Sequence, residues 1–359
     1  MNVLVVGGAG FIGRWVVKQL LNQGNNVTVL DNLSNGKIEN IHEFIDENCL
    51  NAMHLNKEDL KYINCEEFKF IKGDLRDEEV LDRVFKYKFD AIIHCAWSLN
   101  EDIYINYSKA TFSNDIMGVF NIMERAKTQM FGINSKFDGE KIIVDSQEDT
   151  HNCKVIFLST ALVYKNPSFK AQRKGIDEEY AVEAKHFYEG NKLAAENIIM
   201  SYYKTYKLPV TIIRLFDTFG PFQDSDREGD IVIEYIQKVL NGENISMYGT
   251  GKMGRDLIYV KDCASFITKV AYSKETNGEI LNAGTGKAVS LSELAKIISN
   301  NRVKIKRINK NSEEDDTIFK CNLDKSKKLL NWKPKYTLEK ALKETESWVK
   351  LVLIVKNMT

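Results

Sequence analysis

Seven residues near the start of the chain restrict its fold more than any other stretch: Gly7, Gly8, Ala9, Gly10, Phe11, Ile12 and Gly13. Val3 to Val6 form a short apolar run that ends at these glycines, and Val16, Val17, Leu20 and Leu21 recur beyond them with helical spacing. The order reads as strand, tight turn, helix. Such a turn aims backbone N–H groups and the positive end of a helix dipole at one place with no side chains in the way, which seats a pyrophosphate. Gly24 closes the helix, Val27 to Leu30 form a second strand, and Asp31 ends it eighteen positions after Gly13. A carboxylate there accepts hydrogen bonds from a ribose diol. Glycines also gather in ordinary turns, but strand, helix and acid together select the dinucleotide reading, with Gly7, Gly10, Phe11, Ile12, Gly13 and Asp31 as cofactor residues. Because the Asp31 charge repels a 2′-phosphate and no arginine follows it closely, the expected cofactor is NAD.

Further apolar runs follow at Phe68–Ile71, Ala91–Cys95, Val155–Leu158 and Val210–Leu215, alternating with helical patterns at Asn114–Lys127 and Tyr188–Tyr206. This alternation predicts an α/β fold, a Rossmann-type doubly wound parallel sheet. Gly73, Asp74 and Leu75 stand at the edge of the third strand, where Asp74 either faces an adenine amino group or caps a helix running to about Tyr87. His94, Cys95, Ala96 and Trp97 stand at the edge of the fourth. Residues 132–153 interrupt the pattern as an inserted hairpin or loop. After Gly220-Pro221 the elements shorten and cease to alternate, so the expected organisation is an NAD-binding domain over 1–215 and a smaller α+β substrate-binding lobe over 216–350, some of it packing back on the first domain. Lys320 to Trp348 reads as a helical tail broken at Trp332-Lys333-Pro334.

The 359 residues carry fifty basic and fifty acidic side chains, so no net field draws the chain to nucleic acid or to a membrane surface. The first strand begins at Val3 and no apolar run is long enough to cross a bilayer, which predicts a cytoplasmic protein. The six cysteines are far apart without a C-x-x-C and suit free thiols. Five equally scattered histidines predict no metal site.

Tyr188 and Lys192 stand four apart on a predicted helix and share a face. A phenol with a pKa near 10 is about a thousandth ionised at neutral pH, and roughly 4 kcal/mol of preferential stabilisation brings it near 7. A neighbouring ammonium in a dry site supplies much of that. Thr160, at the end of the fifth strand, is placed to hold a substrate hydroxyl against the Tyr188 oxygen.

The dinucleotide turn, then Ser159-Thr160 at a strand end, then Tyr188 and Lys192 on the next helix, together resemble the extended short-chain dehydrogenase/reductase family, specifically its nucleotide-sugar epimerases and dehydratases, from about Met1 to Lys350. In that resemblance Asp31-Asn32 corresponds to the ribose-binding turn, Gly73-Asp74-Leu75 to the adenine contact, and His94-Cys95-Ala96 to a strand-end motif at the cofactor. Thr160, Tyr188 and Lys192 correspond to the catalytic set, with Glu196 following. The stretches RLFDTFGP and GRDLIYVKD look like two signatures that line the sugar-nucleotide site, which implies substrate binding by Trp97, Thr160, Asp217 and Arg255, the arginine beside a phosphate. Asp217 departs from the family's usual Asn, and the neighbourhood expected to hold a second arginine, Asn311 to Asp316, is acidic.

The resemblance implies that Tyr188 takes the proton of the sugar's 4-hydroxyl while the C4 hydride goes to the nicotinamide. The dehydratases place Asp-Glu after the catalytic Thr and the decarboxylases a Glu nearby, whereas Ala161 and Leu162 stand here, as in the epimerases. The leading expectation is an NAD-dependent nucleotide-sugar 4-epimerase. A 4-dehydrogenase or reductase with net redox change is the nearest alternative, ahead of a 4,6-dehydratase or a non-catalytic NAD sensor. Family members commonly form homodimers through helices that correspond here to Ile103–Lys127 and Lys192–Tyr206.

Overall fold

The computed structural model describes residues 1–45, 62–98, 106–137, 142–146, 150–224, 230–308 and 316–358. Among them the chain divides into two compact units, the first formed by Met1–Val163, Glu183–Ile213 and Ile267–Ile280, the second by Tyr164–Val182, Arg214–Phe266 and Leu281–Thr359.

The large sheet, whose strands fall in the first unit except for the ends of the last two, is built on β1 (Asn2–Val6), β2 (Asn26–Asp31), β3 (Tyr62–Asn64), β4 (Phe68–Lys72), β5 (Ala91–His94), β8 (Lys154–Thr160), β9 (Val210–Leu215) and β10 (Glu279–Ala283). They form one sheet in the order β10-β9-β8-β5-β1-β2-β4-β3. From β4 to β9 the sequence rank runs 3-2-1-4-5-6, the doubly wound order, which reverses direction beside β1. Pairing is parallel between β1 and β2, β1 and β5, β2 and β4, and β5 and β8. Helices α1 (Phe11–Leu21), α2 (Glu78–Val84), α3 (Gly118–Phe131) and α4 (Phe187–Tyr206) belong to the first unit. Every residue of β5 and β8 is buried, as a strand covered on both faces requires. The charged member of β8 is Lys154, whose Nζ donates to the carbonyls of Val270 (2.9 Å) and Ser273 (2.5 Å) and the Thr276 hydroxyl (2.7 Å). It thereby satisfies carbonyl groups left over at the end of helix Val260–Tyr272. The apolar stripe of α3, with Val119, Ile122, Met123 and Ala126 buried, joins Ala195, Ile199 and Tyr202 of α4 in the same core cluster as the sheet residues Leu4, Ile92 and Phe157.

Several local expectations are corrected. Helix α2 starts at Glu78 because the Asp77 side chain accepts from the N–H groups of Glu79 (2.9 Å) and Val80 (3.2 Å). Asp77, not Asp74, is therefore the cap. The helix expected from Asn114 opens with a wide π turn over Ser113–Met117. The polar stretch before Cys65 contributes a 3₁₀ helix, Ile38–Phe44, and the antiparallel edge strand β3, too short and charged at its flanks to read as a strand. Cys65 is disulfide-bonded, whereas Cys95, Cys153, Cys263 and Cys321 are free thiols. Within 132–153 the described residues form an antiparallel hairpin, β6 (Ile133–Phe137) and β7 (Ile142–Ser146); its acidic residues Asp138, Glu140, Glu148 and Asp149 lie outside the described residues, as do Ile103 and Asn311.

The second unit is made of small sheets and helices. Asp217–Phe219 pairs in parallel with Leu257–Tyr259, and Gly254–Arg255 lies between Val289–Ser290 and Ile318–Phe319. Helices Ile231–Leu240, Leu291–Ser299 and Leu338–Met358 belong to it. The tail is broken where expected, helix Asp324–Leu330 ending before Trp332. Asp262 explains the break's position: its carboxylate accepts from the N–H groups of Lys335 (2.9 Å) and Tyr336 (3.0 Å), while Trp332 packs edge-on to Phe266 at 4.9 Å.

Candidate active site

The glycine turn fits an anionic ligand on its own geometry. Gly7 has φ +77°, and a β-carbon there would stand 2.6 Å from the Ala96 nitrogen; one at Gly13 would stand 2.1 Å from the Gly7 oxygen. No side chain can be added at either place without moving backbone. Gly10 is the N-cap of α1 and offers no side-chain hydrogen bond, and the first turn carries no acid. The N–H groups at the start of α1 are thus left to a ligand, and the dipole favours an anion. The turn itself is fixed by Gly7 N–H donating to Leu30 (2.8 Å) and Cys95 N–H donating to Val6 (2.8 Å).

Asp31 is buried at the end of β2, where its carboxylate accepts from the N–H groups of Ala9 (3.0 Å) and Leu33 (2.8 Å). Burial pushes its pKa up, against those two donors. Asn32 donates to Asp74 (3.3 Å), and Arg76 holds Asp74 through two bonds of 2.8 Å. The guanidinium keeps the Asp74 carboxyl down at about 2, a fixed anion beside the Asp31-Asn32 turn. Leu75 is buried in the core, so the backbone is what it can offer a ligand.

Beyond β5, Ala96 lies against Gly7 and Trp97 turns its ring to the second half of the site. The Lys192 Nζ stands 3.7 Å from the Trp97 ring centroid and 4.9 Å from that of Phe157, and donates to the Leu158 carbonyl at 2.6 Å. Lys192 is buried on the inner face of α4, one turn beyond Tyr188, which is half-buried against the core cluster. Burial pulls the Lys192 ammonium down to about 7, opposed by the charges of Asp115, Glu196 and Cys95. His94 is buried too, with neither ring nitrogen hydrogen-bonded among the described residues; burial and Lys192 hold it at about 3, a neutral imidazole. Thr160 is buried at the end of β8, its Oγ1 accepting from Leu162 N–H at 3.2 Å where the 3₁₀ turn Ala161–Val163 begins. Next to it the Ser159 hydroxyl donates to Glu196 at 2.5 Å, tying β8 to α4. The structure therefore gathers Gly7, Asp31, Ala96, Trp97, Thr160 and Lys192 at the carboxyl ends of β1, β2, β5 and β8.

Asp217 and Arg255 belong to the second unit, where Arg255 Nη1 stands 3.6 Å from Asp217 Oδ2. Burial raises the Asp217 pKa and Arg255 opposes the rise. Asp256 is the residue that sequence reasoning passed over. It is buried, accepts from Thr285 N–H (2.7 Å), Thr285 Oγ1 (2.6 Å), Gly286 N–H (2.9 Å) and Cys321 N–H (3.0 Å), and so fixes the strand that presents Arg255. Asp115 was passed over as well, although a charge at i, with Val119 and Ile122 at i+4 and i+7, marks an acid on an apolar stripe. Among the described residues no group of three or more His, Cys, Asp or Glu is placed to hold a metal ion, and no helix is long and apolar enough to cross a membrane.

Comparison with known proteins matches residues 3–284 to the NAD dependent epimerase/dehydratase family. A putative UDP-glucose 4-epimerase of Methanocaldococcus jannaschii is 26% identical, over 97% of this chain and 98% of its own. Among solved structures, Pal from Bacillus thuringiensis is 38% identical with a TM-score of 0.79, covering 98% of this chain and 100% of its own. The UDP-glucose 4-epimerase of Thermotoga maritima, solved with UDP-glucose, is 25% identical with a TM-score of 0.75, over 98% and 100%.

Proposed function

We propose, from the premise that this chain belongs to the NAD dependent epimerase/dehydratase family and is an NAD-dependent enzyme of nucleotide-sugar chemistry, that it is a nucleotide-sugar 4-epimerase. The observation that carries the reading is the pairing of Tyr188 with a buried Lys192 whose ammonium lies beside the end of β8, followed there by Ala161 and Leu162. In this reading the Lys192 charge stabilises the Tyr188 phenolate, Tyr188 removes the proton of the sugar's 4-hydroxyl, and the Thr160 hydroxyl holds that oxygen in line. NAD, when bound, supplies the acceptor and then the donor of the C4 hydride. After the 4-keto sugar has turned over, Tyr188 returns the proton to the new alcohol. The turn after Thr160 carries neither acid nor base, so nothing there promotes loss of a C6 hydroxyl, which favours epimerisation over dehydration.

Gly7, Gly10, Phe11, Ile12 and Gly13 hold the pyrophosphate in this assignment, Asp31 and Asn32 a ribose, Asp74 and Leu75 the adenine, and Cys95 and Ala96 the nicotinamide half. Trp97, Thr160, Asp217 and Arg255 are assigned to the substrate, Arg255 to its diphosphate. We assign the protein to the cytoplasm and to a homodimer. Phe112, Met117 and Phe120, all exposed along Ser108–Phe131, support the dimer and light scattering tests it. The test of the reaction is NMR of candidate nucleotide sugars incubated with enzyme: C4 inversion without accumulated NADH is expected. Stoichiometric NADH without inversion replaces the epimerase with a 4-dehydrogenase.

A further inference from the structure

A bulky indole at position 97 is the feature of this site that the strand-end motif does not explain, because His94 is otherwise followed by the small residues Cys95 and Ala96. Trp97 is held from three sides. Its carbonyl accepts from Asn35 at 3.5 Å, its ring meets Phe157 edge-on at 5.6 Å, and the next residue, Ser98, donates through its N–H (3.0 Å) and hydroxyl (2.9 Å) to buried Asp115. So placed, the ring face lies over the Lys192 Nζ at 3.7 Å, well inside the range in which an indole attracts a cation. An aromatic face differs from a carboxylate in one respect that matters here. It lowers the energy of an ammonium in a dry site without carrying a charge that cancels the ammonium's field.

We propose that the indole face of Trp97 is the contact that keeps Lys192 an ammonium within its buried site, leaving the positive field free to act on the Tyr188 hydroxyl one helical turn away. Trp97 is thus a positioning residue acting through Lys192. The use made of the field rests on the C4-oxidation reading; the placement of the charge does not. The titratable groups around Lys192 are His94 at the end of β5, Cys95 just beyond it, Asp115 on the π turn, and Tyr188 and Glu196 on its own helix. Lys192 helps to hold His94 neutral, so the imidazole adds no opposing charge, while the acids favour the ammonium through space; the uncharged contacts are the Leu158 carbonyl and the rings of Trp97 and Phe157, of which the Trp97 face is the nearer ring. The indole N–H has no hydrogen-bond partner among the described residues although the side chain is 93% buried, which leaves the ring's edge for a bound molecule while its face serves the lysine.

The test follows the ¹³Cε signal of Lys192 by NMR across pH in the full-length protein with labelled lysine, assigned by its disappearance in Lys192→Met. Trp97→Leu is expected to lower the Lys192 midpoint by about one pH unit, a tenfold change, and Trp97→Phe by only a few tenths, because phenylalanine keeps a ring face. If Trp97→Leu does not fold, tetrafluorotryptophan labelling withdraws charge from the ring face at nearly unchanged shape, and the same lowering is expected. An unchanged midpoint overturns the proposal, as does an equal drop in the leucine and phenylalanine variants, which would make the effect one of packing. A companion pH profile of turnover distinguishes the two layers: in Trp97→Leu the limb that requires Tyr188 to lose its proton moves to higher pH. Should the midpoint shift while no nucleotide sugar is oxidised at C4, the charge assignment stands and the epimerase reading falls.

Discussion

Replacing Lys192 with Met removes the group on which the proposed reaction depends and, by the same physics, is expected to stabilise the fold below neutral pH. Burial brings the ammonium from 10.5 down to about 7. Between those values the unfolded chain holds the proton more than the folded one does, so the penalty is fully present below pH 7 and fades as pH rises toward 10.5. The full penalty is about 5 kcal/mol at 1.36 kcal/mol per unit. The variant leaves the Leu158 carbonyl, which accepts from Nζ at 2.6 Å, without that donor, a loss of about 1–3 kcal/mol. At pH 6 the methionine variant is therefore expected to be more stable than wild type by about 2–4 kcal/mol. Integrating the linkage from pH 6 to pH 9 returns about 3 kcal/mol to wild type alone, so the order approaches parity or reverses. Urea unfolding of both proteins at pH 6, 7.5 and 9, with Tyr188→Phe as a control that keeps the lysine, measures the difference directly. Stability curves that stay parallel across this range, or a wild type that gains toward acid, refute the reasoning.

Three further outcomes are expected. Gly13→Ala puts a methyl 2.1 Å from the Gly7 oxygen, so NAD affinity by calorimetry should fall at least about tenfold and the melting temperature with it, since backbone must shift; unchanged affinity contradicts the placement of the cofactor. Asp31 predicts that NAD binds more tightly than NADP in a fluorescence titration, and the reverse order sinks that assignment. Asp217→Asn removes a carboxylate that burial pushes upward beside Arg255. It should raise nucleotide diphosphate affinity severalfold near pH 8, while wild type alone gains affinity as pH falls and Asp217 is neutralised; identical pH dependence in both proteins argues against a diphosphate at Arg255.

The parallel sheet was legible because each strand is an apolar run that ends at punctuation a ligand can use: Val6 at Gly7, Leu30 at Asp31, Cys95 at Ala96, Leu158 at Thr160. Tyr188 and Lys192 were legible as spacing. What the spacing could not carry was the environment of the lysine, since Trp97, Asp115 and Phe157 come from distant stretches and meet it only once β5, β8 and the π turn pack against α4. Asp74 shows the limit of local reasoning. An acid ahead of a helix looks like its cap, but a second acid three residues later takes that role and Arg76 claims the first. β3 was missed because three residues flanked by charge carry too little periodicity, and Asp256 because its four donors are contributed by loops near residues 285 and 321.

The claim on which the rest depends is that the Tyr188 oxygen moves the proton of a sugar's 4-hydroxyl. It is tested most directly with nucleotide hexoses carrying deuterium at C4, followed by NMR with wild-type enzyme and Tyr188→Phe in the presence of NAD. Wild type is expected to return the inverted sugar with its deuterium retained at C4, and Tyr188→Phe to bind the sugar yet slow inversion by at least about a hundredfold, as loss of a general base does. Inversion at an undiminished rate in Tyr188→Phe would contradict the account.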